Sequence, residues 1–173
     1  MKKLTIHTLL ICAALLWAGC QEDPEPGGTA TQDVAGEWWV NYYVDDGSGN
    51  LINIGGGYTK AMTFNTAANT ADQIWVSDVG NFWNFQVKVD YDPNAKTFSV
   101  SEAQNASYDS KVTVEEGKFL LGEGLSTSGV KTDSIYFVAS FSDETTDDAP
   151  TPYATKVVVA GHRRTGFLED EHE

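Results

Sequence analysis

Cysteine is nearly absent. The 173 residues contain two, Cys12 and Cys20, both within the first twenty. Everything after Cys20 therefore folds without a disulfide and offers no thiolate to a metal. Histidine is almost as scarce, with His7, His162 and His172. One histidine in the body of the chain excludes the ordinary zinc ligand sets, so neither a metal nor any other cofactor is expected. Basic residues number 11 against 25 acidic, for a net charge of −14. That balance argues against nucleic acid and against adsorption on anionic lipid, both of which need basic surface. Long apolar runs are missing too. The run "LLICAALLWA", Leu9 to Ala18, has ten residues, about half of what a membrane-spanning helix needs.

These shortages leave Cys20 to be explained. Lys2 and Lys3 precede the apolar run, as the positive n-region of an export signal precedes its h-region. "WAGC" then puts two small residues, Ala18 and Gly19, before the cysteine. The segment resembles the bacterial lipobox, in which the cysteine is diacylated and becomes the new N-terminus. The position three before that cysteine is usually Leu, and here it is Trp17. The resemblance implies residues 1–19 as a lipoprotein signal peptide and Cys20 as a membrane anchor. Acylation would supply more than the two membrane signals that stable anchoring takes. The plain alternative is an ordinary secretion signal followed by an unpaired thiol. Residues 20–33, "CQEDPEPGGTATQD", have no apolar periodicity and read as a flexible acidic tether. The acids directly after Cys20 resemble the signal that sends lipoproteins of Bacteroidetes-type bacteria to the outer face of the outer membrane; the alternative is a solvated linker. Loss of the leader removes Lys2 and Lys3 and no acid, which leaves nine basic residues against 25 acidic, a net −16.

The remaining 140 residues, 34–173, suffice for one domain, expected to be monomeric. Helical periodicity is missing there, and alternation with period two takes its place. In "FWNFQVKVDY" Trp83, Phe85, Val87, Val89 and Tyr91 point one way, while Asn84, Gln86, Lys88 and Asp90 point the other. "GEWWVNYYV" carries aromatics on both faces. Further strands are expected at 58–64, 73–77, 96–101, 108–115, 118–121, 133–142 and 153–163, one or two of them halves of a single strand. "DDGSGN", "GGG", "YDPNAK" and "EEGK" read as turns between them. Short strands joined by tight turns predict an all-β antiparallel sandwich or barrel.

The Gly-x-Trp of "GEW" and the late arginines of "HRRTGF", Arg163 and Arg164, tip this toward a barrel. Both resemble the lipocalin pattern, in which the first-strand Trp closes the barrel floor and a late Arg stacks across it. "AGEWWVNYYV", "TFNTAANTADQIWVSDVGNFWNFQVKV" and "GHRRTGF" together resemble the lipocalin-like Bacteroidetes lipoproteins called lipid-binding putative hydrolases. The resemblance covers roughly residues 34–167. It implies an up-and-down calycin-type barrel of about eight strands on a lipid anchor.

A Ser-His-Asp arrangement needs a base. His7 leaves with the leader and His172 lies in the charged tail "LEDEHE", so His162 is the candidate. No Gly-x-Ser-x-Gly elbow accompanies it, since "GLSTSG" fails at the fifth position. A satisfied edge or barrel-end histidine is the plainer reading. "DDGSGN" (45–50) and "DETTDD" (143–148) could offer oxygens to calcium, but neither is an EF-hand loop, and both read as solvated turns. A small apolar or lipid-like ligand is what an eight-stranded barrel best supports, with Trp38, Tyr42, Trp83, Phe85, Phe137, Phe141 and Arg163 as candidate lining residues. The competing expectation is that the aromatics fill the barrel. The outer side chains of Trp39 and Tyr43 would then form a contact patch for a protein or glycan.

Overall fold

The computed structural model describes residues 27–144 and 156–172. Residues 1–26, with Cys20 and the expected signal peptide, and most of the acidic loop at 142–152 lie outside the described residues. Among the described residues nine strands run in chain order: β1 Gly36–Asp45, β2 Leu51–Asn53, β3 Thr59–Asn65, β4 Gln73–Ser77, β5 Gln86–Asp92, β6 Thr97–Gln104, β7 Lys111–Leu125, β8 Lys131–Phe141 and β9 Val157–Arg163. The only helical element among the described residues is a 3-10 turn, Leu168–Asp170.

Every neighbouring pair is antiparallel, and β9 returns to pair with β1 from Trp38↔Arg163 to Tyr43↔Val158. The ring β1, β3, β4, β5, β6, β7, β8, β9 is therefore a closed eight-stranded up-and-down barrel. Closure removes the sheet edges that would otherwise invite association. The ninth strand, β2, stands outside the ring and pairs with the far end of β1, Tyr43↔Asn53 to Asp45↔Leu51. The sequence reading missed it, because three exposed residues between two glycine-rich stretches carry too little alternation to register.

Two other expectations are corrected by the register. "EEGK" is a bulge inside β7, and the segments at 108–115 and 118–121 belong largely to this one strand. Opposite β8, Glu115 pairs with Val138 and Lys118 with Tyr136, so β7 carries one extra residue there. Glu116 takes φ 54°, and a Cβ on Gly117 would sit 2.3 Å from the Phe98 carbonyl oxygen. A turn signal and a bulge signal use the same residues, because both need positive φ next to a small side chain. The "FWNF" half of the clearest alternation is loop, and β5 starts at Gln86. Phe85, Val87, Val89 and Tyr91 are nevertheless buried on one side as the alternation requires, and Trp83 is partly buried.

The core is the barrel interior. Val40, Val44, Ile74, Val76, Val87, Val89, Ile135 and Val159 line it. A ladder of rings runs along it: Trp38–Phe119 at 5.6 Å between centroids, Phe119–Phe98 at 4.8 Å, Phe98–Phe137 at 5.8 Å, Phe137–Phe85 at 6.4 Å and Phe85–Phe141 at 5.5 Å. These rings fill the lumen. Tight coiling makes closure sensitive to Gly161 on β9, where an added Cβ would lie 1.9 Å from the Trp39 carbonyl oxygen and 2.7 Å from Val40 Cα. Gly161→Ala is expected to destabilise the domain by about 1–3 kcal/mol, the range for overpacking, read as a lower urea midpoint.

Candidate functional site

The two ends of the barrel are built differently. At the closed end the chain enters through a turn in which Val34 N–H and Ala35 N–H both donate to the Thr31 carbonyl. Thr31 is buried, so the packed domain includes the last residues of the acidic stretch. Trp38 Nε1 donates to Thr63 Oγ1 (2.8 Å), whose hydroxyl donates onward to the Val34 carbonyl (2.5 Å). The Arg163 guanidinium lies 4.8 Å from the Trp38 ring centre, a cation–π contact worth roughly 0.5–2 kcal/mol. Its Nη atoms donate to the carbonyls of Ala35 (2.9 Å) and Asp33 (2.7 Å). Its Nε forms an ion pair with Asp133 at 2.8 Å. Arg163 is thus the cover that the lipocalin resemblance implied, laid across the Trp38 floor.

At the open end the β4–β5 loop turns around Asp78. This carboxylate is fully buried and accepts five backbone N–H bonds, from Gly80 (2.9 Å) and Phe85 (2.9 Å) on Oδ1, and from Phe82 (3.1 Å), Trp83 (2.7 Å) and Asn84 (2.8 Å) on Oδ2. The same loop holds Val79 and Asn84 at φ 55° and 52°. That conformation is costly for a β-branched residue, so the carboxylate must hold it. Asn105 performs a similar task next door, accepting from Gln86 N–H and Ser107 N–H.

Asp78 thereby delivers Phe82 and Trp83 to the barrel mouth. Phe82 stacks on Tyr42 at 4.1 Å, and Trp83 stacks on Phe141 at 5.2 Å. Trp83 Nε1 (3.3 Å) and the Tyr108 hydroxyl (2.6 Å) both donate to Asp143, which ties this aromatic cap to the start of the next loop. Below the cap the Tyr42 hydroxyl and Thr59 Oγ1 are buried within reach of one another, and neither bonds to any other group among the described residues. Burial raises the Tyr42 pKa well above its ordinary value, the nearby Asp78 carboxylate adds to this, and Thr59 offsets part of it. Tyr42 is therefore a neutral phenol at any physiological pH, its O–H beside the Thr59 hydroxyl.

All seven residues expected to line the interior face it or close its ends. Trp38, Tyr42, Phe85 and Phe137 are fully buried, Phe141 nearly so, and Trp83 and Arg163 sit at opposite ends. Sequence reasoning missed Thr59, Asp78, Asn105 and the Asp143 tie. Only Asp78 left a trace, as the Asp-x-Gly of "SDVGN".

The outer patch expected at Trp39 and Tyr43 is corrected. Trp39 is only 4% exposed. His172 packs edge-on against it at 5.1 Å, and Lys60 lies 5.6 Å from its ring centre. Tyr43 is half-buried and pairs with Asn53 of β2. The C-terminal tail does the covering. Asp170 accepts from Ser128 N–H (2.7 Å) and Thr165 Oγ1 (2.7 Å), Arg164 bridges Glu37 and Glu171, and His172 bonds Thr127.

His162 lies under the same tail, edge-on to Tyr58 at 5.2 Å and 5.9 Å from the His172 ring. Among the described residues its Nε2 is buried without a hydrogen-bond partner, and neither a serine nor a carboxylate is bonded to it. "GLSTSG" is the β7–β8 turn, with Ser126 Oγ accepting from Val130 N–H. In "DDGSGN" the Asp45 and Asp46 carboxylates accept the loop's own N–H groups. "DETTDD" falls mostly outside the described residues.

Two predictions follow from these contacts. Asp78→Ala leaves five loop N–H groups without their acceptor. It should destabilise the domain by at least about 2 kcal/mol, given roughly 1.5–3 kcal/mol for a single bond to a charged group, and should red-shift Trp83 emission. His162 is held below its ordinary 6.5, chiefly by burial and then by His172, with Asp170 opposing. The unfolded chain then binds the proton more readily, so stability is full above 6.5 and falls as pH drops toward the lowered value. Asp170 is pulled well below its ordinary 3.8 by bonds from Ser128 and Thr165 that outweigh its desolvation, so its contribution is lost only below about pH 4. Melting temperatures between pH 7.5 and 5 should therefore fall in the wild type and fall less in His162→Asn.

Among curated proteins none matches the chain. A protein-family model described as "Lipid-binding putative hydrolase" matches residues 23–168, which takes in the whole barrel, both its ends and the Trp38–Arg163 floor. The chain belongs to that family.

Proposed function

We propose that this domain binds a single lipid-like apolar molecule in the barrel, without chemistry, while acylated Cys20 holds it on the outer membrane, displayed at the cell surface. The observation that carries the reading is the pair of buried hydroxyls, Tyr42 and Thr59, which face one another and no other polar partner among the described residues at the mouth end of an apolar, aromatic interior. Small-molecule sites combine a mostly apolar lining with a few convergent polar groups. A carboxyl or ester head at that depth would satisfy both hydroxyls while its chain replaced the contacts of Phe82 and Phe85. The family's description as lipid-binding supports the same reading. Because side chains fill the lumen, entry requires the Phe82–Trp83 cap to swing away, and the Asp143 tie is what must break.

A second reading is favoured by the filled lumen itself: the domain acts as a surface contact module. Its contact surface is then the outward face of β3 and β4, where half-buried Met62, Phe64 and Trp75 sit together and Phe64 stacks on Trp75 at 6.2 Å. His162, enclosed by Tyr58, Trp39 and His172 rather than by a nucleophile, does not support hydrolysis.

Native mass spectrometry of the leaderless chain, purified without detergent and titrated with palmitic acid, separates these readings. The binding reading expects a one-to-one adduct. It also expects Tyr42→Phe to weaken that adduct roughly 2- to 10-fold, the worth of one hydrogen bond, with at most about 1 kcal/mol lost in fold stability, because the deleted hydroxyl's hydrogen-bonding neighbour among the described residues is Thr59. A bare polypeptide mass at every palmitate concentration overturns it in favour of the contact module.

A further inference from the structure

We propose that the closed end of the barrel is a membrane-facing surface, seated on the neutral lipid interface into which the Cys20 acyl chains insert. Leu125, Val130, Phe167 and Leu168 are the side chains that touch the lipid. The inference rests on the reading of Cys20 as acylated and adds to it the orientation of the domain.

The four side chains are large, apolar and exposed, with Leu168 at 90%, Leu125 at 65% and Phe167 at 54%. They come from two segments fixed to one another. Leu125 and Val130 flank the β7–β8 turn, and Phe167 and Leu168 open the 3-10 turn of the tail. Buried Asp170 binds Ser128 N–H in the one and the Thr165 hydroxyl in the other. The tail is therefore held in place, and Leu168 is presented to solvent by a fixed backbone. A fixed cluster of exposed apolar side chains marks a surface that meets something.

What it meets follows from the chain's point of entry. The N-terminal turn lies at this same end: Ala30 N–H donates to Asn69 in the β3–β4 loop, and Arg163 holds the Ala35 and Asp33 carbonyls. Arg164 ties Glu37 at the start of β1 to Glu171 of the tail. Gly27, the first described residue, is seven residues beyond Cys20, a reach of at most about 25 Å. A domain of this length has a radius of gyration of about 14 Å, hence roughly 35–40 Å from end to end. The tether is thus shorter than the domain. The closed end lies within its reach of the leaflet, and the opposite end, with its own exposed Leu51, Ile52 and Val79, cannot turn round to take its place. The acidic surplus of the chain gives no attraction to anionic headgroups, so the contact has to be made by apolar side chains entering a neutral interface.

The test uses the acylated protein in phosphatidylcholine vesicles, carrying either Leu168→Cys or Ser48→Cys labelled with an environment-sensitive fluorophore. Both positions are exposed, Ser48 in the β1–β2 loop at the other end. The label at 168 should shift to the blue and be quenched several-fold more by nitroxide-labelled lipid than the label at 48. Adding Cys20→Ser to the leaderless chain should abolish that difference. Equal, water-like quenching at both positions in protein that floats with the vesicles overturns the docking surface and leaves the anchor standing. Protein with an intact Cys20 that fails to float overturns the anchor, and the orientation with it.

Discussion

Arg163 is the side chain on which this barrel closes. A closed sheet requires its last strand to find its first, and the β1–β9 ladder begins at the Trp38↔Arg163 pair. The guanidinium lies over the indole and also holds two carbonyls of the entering chain and the Asp133 carboxylate of β8. An arginine can do all of this at once because its donors are arranged in a planar fork and its faces stack on aromatic rings. A lysine at 163 would keep the charge and lose both the fork and the stack. The Trp38 Nε1 bond to Thr63, and from there to Val34, carries the same joint into β3 and the N-terminal turn.

The other end depends on a different kind of contact. The β4–β5 ladder ends at Ser77↔Gln86, and beyond it one carboxylate organises the loop. Asp78 converts a loop with two non-glycine residues at positive φ into a fixed platform for Phe82 and Trp83. The consequence for function is that the lumen is rigidly floored at one end and capped by a loop at the other. On the proposed reading, a molecule entering the barrel would meet the capped end, where the Tyr42 and Thr59 hydroxyls lie buried together.

Much of this was legible in the chain. The alternation from Phe85 to Tyr91 fixed which side chains go inward, and Trp38, Tyr42, Phe137 and Phe141 followed from the same period-two rule. Gly36, Trp38 and Arg163 pointed to the floor through their resemblance to the lipocalin pattern. The reading faltered where one local signal serves two structures. "EEGK" is as good a bulge as a turn, and only its pairing with β6 and β8 decides. Trp39 alternates to the outside of β1 and so read as exposed. Its cover, His172, comes from 133 residues further along the chain, and no periodicity reports a contact of that kind.

By itself, then, the sequence determined the strand class, the inward set of side chains and the chemistry available, since period two, composition and the shortage of histidine and cysteine are local properties of the chain. The tertiary structure alone decided that the aromatics touch and fill the lumen, that the acidic tail folds back over Trp39 and His162, and that the Tyr42 and Thr59 hydroxyls lie buried together. Each of these depends on which distant segments meet once the barrel closes, and closure is a property of the whole ring of strands rather than of any stretch within it.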